Sequence, residues 1–533
     1  MNRQLLLGAE AIALGALDAG ISGVYAYPGT PSTEITEYIQ KNCAGREHPV
    51  RSAWSSNEKT AYEAALGMSY AGKRSLVCMK HVGLNVAADA FINSAITGVN
   101  GGLVAAVADD PSMHSSQNEQ DSRVYGKFAM VPVLEPASQQ ELYDTVREAF
   151  DLSESVKLPV LLRLTTRLAH SRAGVKGRPA CMQNPLNAPY APERFVLMPH
   201  NARRQYNNLL DMQERLEELA ERSPLNRLIP GTGKTGVLAF GIAFNYVMEV
   251  RQAHELDCPV LKIGQYPLPR KQIEAFFSAC NTVLVAEEGY PVYEELLRGY
   301  FGGRDIRGRL DGTLPRAGEL NADCVANALC LPEKELLPVP GIVVNRPPEL
   351  CKGCGHRDLY EALNIVMNTY AQQHVFSDIG CYTLGALEPF NAIHTCVDMG
   401  ASITMAKGAA DAGLRPAVAV IGDSTFTHSG MTGLLDAVND HSSLTVIIAD
   451  NDTTAMTGGQ NSSANGPRLP AICRGIGVEE THIRTIIPLK SHLEENIAVL
   501  REEIAWEGVS VVIAQRECIE TAARKKRNPT LNL

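Results

Sequence analysis

The stretch Ala417–Asn451, AVAVIGDSTFTHSGMTGLLDAVNDHSSLTVIIADN, decides the fold because two apolar runs in it each end in polar residues. AVAVIG and LTVIIAD have the length and β-branched composition of buried strands, and the segment between them has helical spacing. A strand, a helix and a second strand in close succession form a βαβ unit, whose strands are parallel. The stretch therefore predicts an α/β fold built on a parallel sheet.

Polar side chains follow both strands of this unit. Asp423 and Asn451 come directly after them, where open α/β sheets bind their ligands. A carboxylate and an amide oxygen suit Mg²⁺, which in turn binds diphosphates. Gly422 allows close approach to the backbone, and Ser424 begins a helix whose free N–H groups attract anions. We predict a diphosphate and magnesium site, with an ordinary strand-end Asp and turn Asn as the alternative.

This arrangement resembles the signature of thiamine-diphosphate enzymes, Gly-Asp-Gly followed by Asn after roughly 25 to 30 residues. Here 26 residues separate Ser424 from Asn451. The resemblance implies that Asp423, the Asn451 side chain and the Thr453 carbonyl bind Mg²⁺. The chain departs from the signature at Ser424, where the family has Gly, and in having one Asn in place of a pair.

The apolar pattern extends over the whole chain and predicts a multi-domain α/β protein. The predicted strands are GVYAYPG, SLVCMK, GGLVAAVA and LPVLLRL in a first domain, GVLAFG, PVLKIGQ and NTVLVAEEG in a second, and AVAVIGD, LTVIIADN and VSVVIAQ in a third. The predicted boundaries are 1–172 for the first domain, 173–236 for a linker with one exposed helix, 237–335 for a smaller α/β domain, 345–520 for the third domain and 521–533 for a tail.

The composition argues against several classes of function. The 533 residues are 45% hydrophobic and carry a formal net charge of −10, with a basic run only at 524–527. No apolar run approaches the ~20 residues of a transmembrane helix, and the acidic balance makes nucleic acid a poor partner. Glu10 and Asp18 interrupt the apolar amino terminus, which favours an amphipathic helix over a signal peptide. We expect a cytoplasmic protein that binds neither membranes nor nucleic acid.

A second motif is required because thiamine becomes reactive only when an acid contacts its pyrimidine ring in a dry site. In thiamine-diphosphate enzymes a Glu begins an Ala-rich helix with Gly nine positions later, and Glu58 and Gly67 have this spacing. The resemblance makes Glu58 the activating acid and a cofactor contact. Glu63 on the same helix is the competing acid, and a solvated carboxylate at a helix start is the alternative.

Near the amino terminus, YPGTPS follows a predicted strand and opens a helix. It resembles the Tyr-Pro-x-Thr-Pro segment of 2-oxoacid:ferredoxin oxidoreductases, in which the Thr contacts the substrate carboxylate. The resemblance implies this role for Thr30. A plain helix cap ahead of Pro31 is the alternative.

The thirteen cysteines are scattered, which suits a reducing compartment. Four of them, from separate parts of the third domain, are Cys351, Cys354, Cys381 and Cys518. A zinc ribbon usually needs a second close pair, and a thioredoxin-like motif does not need the remote cysteines. Four thiolates from separate loops suit a [4Fe–4S] cluster, as in the family named above. Cys518 rests on its position alone, and buried cysteines without a metal are the alternative.

The motifs YPGTPSTEI, SSNEK, KHVGLNVA, SDIGCYTLG and DNDTTAMTGGQ extend the resemblance over almost the whole chain, which is similar to the α subunits of indolepyruvate ferredoxin oxidoreductases. The resemblance implies a pyrimidine domain, a small domain like the carboxyl-terminal domain of transketolase, and a diphosphate domain, in that order. Family members commonly continue into a ferredoxin-like tail with clustered cysteines, which we expect either a longer chain or another protein to supply.

The same resemblance implies the activity and the partners. Aryl 2-oxo acids such as indolepyruvate or phenylpyruvate would react with coenzyme A to give aryl-acetyl-CoA and CO₂, with electrons passed to ferredoxin. A β subunit and a second copy of the chain are the expected protein partners. The alternatives are a non-oxidative thiamine-diphosphate decarboxylase or carboligase, and an inactive subunit that only scaffolds a partner.

Overall fold

The computed structural model of the chain describes residues 3–44, 49–189, 191–332, 338–344, 346 and 348–527. Its contacts divide the chain into two units, Met1–Leu337 and Pro338–Leu533. The predicted domain ends at 335 and 345, and the final part of the predicted tail, 528–533, lie outside the described residues. None of the described helices combines the length and the apolar character needed to span a bilayer.

The first unit alternates strands and helices along most of its length. Its strands are β1 (Arg3–Leu7), β2 (Gly23–Ala26), β3 (Arg51–Trp54), β4 (Ser75–Lys80), β5 (Leu103–Asp109), β6 (Val133–Leu134), β7 (Val160–Thr165), β8 (Arg172–Lys176), β9 (Arg227–Ile229), β10 (Thr235–Phe240), β11 (Val260–Ile263), β12 (Gln265–Tyr266), β13 (Thr282–Ala286) and β14 (Asp305–Arg307). Its helices are α1 (Gly8–Asp18), α2 (Thr33–Asn42), α3 (Glu58–Tyr70), α4 (His81–Thr97), α5 (Arg123–Ala129), α6 (Gln139–Val156), α7 (Thr166–His170), α8 (Pro192–Phe195), α9 (Pro199–Glu221), α10 (Ala243–Ala253), α11 (Arg270–Ala279), α12 (Val292–Tyr300) and α13 (Ala322–Ala328).

The larger sheet of this unit has the order β12-β6-β7-β5-β4-β2-β3. All its neighbouring pairs are parallel except the edge pair β12–β6. Every residue of β4 and β5 is buried, as expected for strands covered by helices on both faces. The four predicted strands of the first domain are β2, β4, β5 and β7, so the parallel-sheet prediction is confirmed here.

The smaller sheet has the order β14-β13-β10-β11-β9, and β9 runs antiparallel at its edge. The predicted strands GVLAFG, PVLKIGQ and NTVLVAEEG are β10, β11 and β13. Two short strands pair across the predicted boundaries. β9 lies within the predicted linker but pairs with β11 of the smaller sheet, and β12 lies within the predicted smaller domain but pairs with β6 of the larger sheet. Backbone hydrogen bonds therefore join the segment after β11 of the smaller sheet to the larger sheet.

Buried ion pairs join the same two sheets. This arginine network consists of Arg123 and Arg163 with Asp109, Asp121, Glu135 and Glu287. Arg163 Nε lies 2.6 Å from Asp109 Oδ2, and Arg123 Nη1 lies 3.0 Å from Glu287 Oε2. Both guanidinium groups are fully buried, so their charges are neutralised only by these carboxylates.

The amino-terminal helix differs from the sequence prediction. β1 pairs antiparallel with β8, and α1 follows with every residue buried except Glu10. The expectation of an amphipathic helix was wrong, because α1 packs against both α2 and α6 and so has no solvated face. The Glu10 carboxylate accepts a hydrogen bond from Leu7 N at 2.8 Å at the start of the helix.

The second unit is built on one sheet of six parallel strands, in the order β16-β15-β17-β18-β22-β21. Its strands are β15 (Val375–Ser377), β16 (Thr395–Cys396), β17 (Val418–Gly422), β18 (Leu444–Asp450), β19 (Thr453–Thr454), β20 (Gln460–Asn461), β21 (Ile483–Ile486) and β22 (Val509–Gln515). Its helices are α14 (Gly355–Met367), α15 (Ala401–Asp411), α16 (Asp423–Thr425), α17 (Met431–Asn439), α18 (Arg468–Ile476), α19 (Leu493–Ile504) and α20 (Ile519–Arg527), with a π-helical turn at Phe426–Gly430 between α16 and α17. The three strands predicted for this region, β17, β18 and β22, are confirmed.

Candidate functional site

The predicted acid Glu58 is the first residue of α3 and follows the end of β3. Asn57 caps this helix, its Oδ1 accepting a hydrogen bond from Thr60 N at 2.9 Å. Glu58 is only 6% exposed although it stands at a helix start. Glu63 is half-exposed, and its Oε1 lies 3.7 Å from Lys59 Nζ. Of the two acids that the sequence offered, the structure buries Glu58.

A glycine on the neighbouring helix makes room for the Glu58 carboxyl group. A Cβ at Gly83, in the first turn of α4, would lie 2.5 Å from Glu58 Oε1. Any side chain there would displace the carboxyl group, so Gly83 fixes where Glu58 can lie. Sequence reasoning missed this residue, although KHVGLNVA contains it. Gly67, which the signature emphasised, faces open space.

Thr30 lies in the loop between β2 and α2, and its carbonyl oxygen is 3.4 Å from Ser115 Oγ. The same Ser115 accepts a hydrogen bond on its backbone oxygen from Lys80 Nζ, at 2.5 Å. Lys80 is the last residue of β4 and is 8% exposed. Burial lowers the pKa of Lys80 to about 8, with the Asp110 carboxylate acting in the opposite direction. Lys80 was not among the predicted site residues.

In the second unit, Asp423 directly follows β17 and is 2% exposed. Its Oδ2 has no hydrogen-bond partner among the described residues. Burial, with a further contribution from the charge of Asp450, raises the pKa of Asp423 to about 8. A buried carboxylate oxygen without a donor, beside a second carboxylate, is stabilised either by a proton or by a bound cation. The residues present at this strand end therefore fit Mg²⁺.

Asn451 follows the adjacent strand β18, and the register Gly422↔Ala449 aligns the two strand ends. Its Oδ1 accepts a hydrogen bond from Thr453 N at 3.2 Å, which bends the chain after β18. Thr454 Oγ1 donates to Ser424 Oγ at 3.0 Å, joining this loop to the start of α16. The structure thus brings the predicted diphosphate and magnesium residues to two neighbouring strand ends.

A buried cluster behind this edge was missed by sequence reasoning. A Cβ at Gly422 would lie 2.5 Å from Tyr382 Cε1, so the ring of Tyr382 requires glycine there. Tyr382 Oη donates to the Asp378 carboxylate, and Ser402 Oγ donates to it at 2.6 Å. Burial raises the pKa of Asp378 to about 6. The available signal was the position of Asp378 directly after β15, a third strand end on the same edge.

The four predicted cluster cysteines line one cavity of about 180 Å³. They are Cys351, Cys354, Cys381 and Cys518. Burial, together with the other three thiols, raises the pKa of Cys381 to about 12. Among the described residues, no three His, Cys, Asp or Glu side chains are close enough together to hold one metal ion. Four thiols around one cavity fit a [4Fe–4S] cluster, which spreads its thiolate ligands over four irons.

This cysteine cavity adjoins the predicted magnesium site. Asn451 and Asp450 also line it, and Cys518 N donates a hydrogen bond to Asn451 O at 3.0 Å. His356 lies in the cavity wall, and burial lowers its pKa to about 4, so the imidazole is neutral at pH 7. The backbone of Cys518, a predicted cluster ligand, therefore contacts the backbone of Asn451, a predicted magnesium ligand.

Two protein families match separate parts of the chain. The family described as "Pyruvate flavodoxin/ferredoxin oxidoreductase, thiamine diP-bdg" matches residues 14–221. The family described as "Thiamine pyrophosphate enzyme, C-terminal TPP binding domain" matches residues 378–512. The first match contains Thr30 and Glu58, and the second contains Asp423 and Asn451. Both families bind thiamine diphosphate, which is therefore the cofactor of this chain.

Curated relatives match the chain over nearly its full length. Indolepyruvate oxidoreductase subunit IorA of Archaeoglobus fulgidus is 39% identical over 99% of this chain and 88% of its own length. The subunit of the same name from Methanothermobacter thermautotrophicus is 38% identical over 99% of this chain and 89% of its own length.

A solved structure shares the fold. The 2-oxoglutarate:ferredoxin oxidoreductase of Magnetococcus marinus, with 2-oxoglutarate, coenzyme A and succinyl-CoA bound, aligns with a TM-score of 0.50 at 17% identity. The alignment covers 57% of this chain and 62% of that chain. Full-length identity to the IorA subunits and the two thiamine-binding matches agree, and the chain belongs to the indolepyruvate oxidoreductase IorA family of thiamine-diphosphate-dependent 2-oxoacid oxidoreductases.

Proposed function

We propose that the chain oxidatively decarboxylates aryl 2-oxo acids, such as indolepyruvate and phenylpyruvate, to aryl-acetyl-CoA and CO₂, passing electrons through a [4Fe–4S] cluster to ferredoxin. One observation carries the proposal: four cysteines from three separate segments line one cavity that Asn451 also borders. A non-oxidative decarboxylase or carboligase needs no electron exit. The cavity therefore favours the oxidative reaction over that alternative.

Each proposed site residue has a defined role. Thiamine diphosphate, when bound, supplies the carbon nucleophile and the electron sink that decarboxylation requires. Glu58 exchanges a proton with the pyrimidine ring through its buried carboxyl group. Thr30 lies against the substrate, in the loop after β2. The proposed Mg²⁺ ligands are Asp423, Asn451 and the Thr453 carbonyl. The proposed cluster ligands are Cys351, Cys354, Cys381 and Cys518.

The partners follow from the same reaction. Each of the IorA relatives is named as a subunit of an oxidoreductase, which supports a β subunit for this chain. Coenzyme A accepts the aryl-acetyl group, and ferredoxin accepts the electrons. A second copy of the chain is part of the proposed assembly.

The direct test of this function is an anaerobic assay of the chain with its partner subunit, coenzyme A and a viologen dye as electron acceptor. Aryl 2-oxo acids are expected to reduce the dye, whereas pyruvate and 2-oxoglutarate are expected to react poorly. CO₂ release without dye reduction, at the same rate with and without coenzyme A, would instead identify a non-oxidative decarboxylase.

Replacement of Asp423 by Asn is expected to weaken the binding of Mg²⁺ and thiamine diphosphate by ~100-fold or more, since even indirect contacts to a metal contribute 10 to 100-fold. An amide binds a hard divalent cation less strongly than a carboxylate does. Calorimetric titration of thiamine diphosphate in the presence of Mg²⁺ measures the effect. Asp436→Asn, an exposed change on α17, is the matched control and should bind like the unaltered chain. Equal affinity of all three proteins would exclude Asp423 as a ligand.

A further inference from the structure

Lys80 differs from every other buried cation in the described part of the chain. The lysines and arginines that are buried there are Arg74, Lys80, Arg123, Arg163, Lys262 and Arg309. All of them except Lys80 have a carboxylate oxygen within 4.0 Å. A buried cation without a carboxylate partner is destabilising, and such groups are concentrated at functional sites.

The contacts of the Lys80 ammonium leave it able to bind a further group. Both of its hydrogen bonds within the described residues go to Ser115, at 2.5 Å to the backbone oxygen and 3.5 Å to Oγ. An ammonium group has three N–H donors, and a neutral serine provides no charge to balance it. Lys80 therefore retains a free donor. The Asp110 carboxylate raises its pKa but lies beyond the 4.0 Å of an ion pair and accepts a hydrogen bond from Ser115 N instead.

Lys80 stands among the residues proposed to handle the substrate. β4 lies between β5 and β2 in the sheet, and a Cβ at Gly29 would be 3.3 Å from Lys80 Cβ. The Thr30 loop thus packs against Lys80, and Ser115 contacts both residues. Lys80 also directly precedes α4, the helix on which the Glu58 carboxyl group rests at Gly83.

We propose that the Lys80 ammonium binds the carboxylate of the 2-oxo acid substrate. The inference rests on the proposed function, because that function makes the substrate an anion. The substrate then brings a carboxylate into direct contact with Lys80, a contact that no carboxylate of the described residues makes. A desolvated ammonium attracts an anion more strongly than one in water, and an internal carboxylate would compete with the substrate.

The reaction itself explains why Lys80 should pair with the substrate carboxylate, which is lost during the reaction, and not with a carboxylate of the protein. The overall change is RCOCOO⁻ + CoA-SH → RCO-SCoA + CO₂ + H⁺ + two electrons. The bound carboxylate departs as neutral CO₂, so the attraction to Lys80 ends when the carbon–carbon bond breaks. Lys80 then increases the affinity for the substrate without increasing the affinity for the product.

The test compares Lys80→Met with the unaltered chain, both with the partner subunit, thiamine diphosphate and Mg²⁺. We expect the KM for phenylpyruvate to rise by ~10 to 100-fold, the range for hydrogen bonds to a charged group, with kcat changed much less. Lys80→Arg should keep most of the affinity, because it keeps the charge. Lys73→Met is the matched control, since Lys73 Nζ also donates to a backbone oxygen, that of Asn184 at 2.5 Å, but lies before the start of β4.

A binding measurement without turnover isolates the contribution of the carboxylate to affinity. Calorimetry compares 3-phenyllactate with 3-phenyllactamide, which replaces the carboxylate by a neutral amide. The unaltered chain should prefer phenyllactate, and Lys80→Met should lose this preference while Lys73→Met keeps it. If Lys80→Met melts early, Lys80→Gln, whose amide can still donate to Ser115, is judged by the same ratio.

An unchanged ratio of the two affinities in the Lys80 variants, or equal losses for both compounds, would overturn the proposal. Failure of the proposed function has a different signature, since the unaltered chain would then not oxidise phenylpyruvate at all.

Discussion

Glu58→Gln is expected to lower the rate of 2-oxo acid oxidation by ~10²- to 10⁴-fold, the usual contribution of a positioned proton donor or acceptor. Glutamine keeps the size of the side chain and its packing against Gly83, but its amide cannot exchange the required proton. Glu63 cannot substitute for Glu58, because it is half-exposed and lies beside Lys59. The dye-linked anaerobic assay with phenylpyruvate and coenzyme A measures the loss.

Two controls make the Glu58 result specific. Glu63→Gln removes the other acid of α3 and should leave the rate unchanged within about twofold, as surface substitutions usually do. Calorimetry should show that Glu58→Gln still binds thiamine diphosphate and Mg²⁺, since Asp423 and Asn451 are intact. Full activity of Glu58→Gln would instead favour the alternative of an inactive subunit that scaffolds its partner.

Cys381→Ala is expected to abolish dye and ferredoxin reduction and to remove iron and sulfide from the purified protein. Cys381 stands in the cysteine cavity, where burial and three neighbouring thiols raise its pKa to about 12. Four thiols that line one cavity can all ionise only if a positively charged metal centre compensates them. Iron and sulfide analysis, visible absorption and the dye-linked rate measure the outcome together.

The matched control for this change is Cys396→Ala. Cys396 is an exposed cysteine of the same unit and does not line the cavity, so iron content and rate should both be retained. Loss of iron in Cys381→Ala with retained CO₂ release would separate decarboxylation from electron transfer. Retention of both iron and dye reduction in Cys381→Ala would show that the cavity holds no cluster.

The strands of the sheets were predictable from the sequence because their signal is local. Uninterrupted apolar runs such as SLVCMK and LTVIIAD identify strands buried on both faces, and both are confirmed as β4 and β18. Parallel pairing also followed, since a helical segment separates successive runs. The family, the thiamine-dependent class of enzyme and the α/β fold are confirmed with them.

The pairings that lie outside the main parallel strands were not predictable. β1 with β8, β9 with β11, and β12 with β6 join short segments that are distant in sequence, and segments of two to five residues carry no clear periodicity. The burial of α1 on all sides was missed for a related reason. A helix composed largely of Ala, Leu and Gly with two acids has the same sequence whether one face or every face is covered.

The candidate site shows the same division. Residues at predicted strand ends, such as Asp423 and Asn451, could be chosen because position and residue type agreed. Asp378 and Lys80 also stand at strand ends. They become candidates only through their burial and through the hydrogen bonds and ion pairs that they make or lack, and the sequence does not show either. The roles of all these residues remain predictions for the experiments above.

The arginine network limits how the first unit can be divided. A fragment that ends at residue 236 would take the Glu287 carboxylate from Arg123 and the Glu288 carbonyl from Arg163. Breaking a buried ion pair from one side costs about 3 to 5 kcal/mol, and whole domains are stable by only about 5 to 15 kcal/mol. Chimaeras between relatives should therefore exchange the larger and the smaller sheet of this unit as a single block.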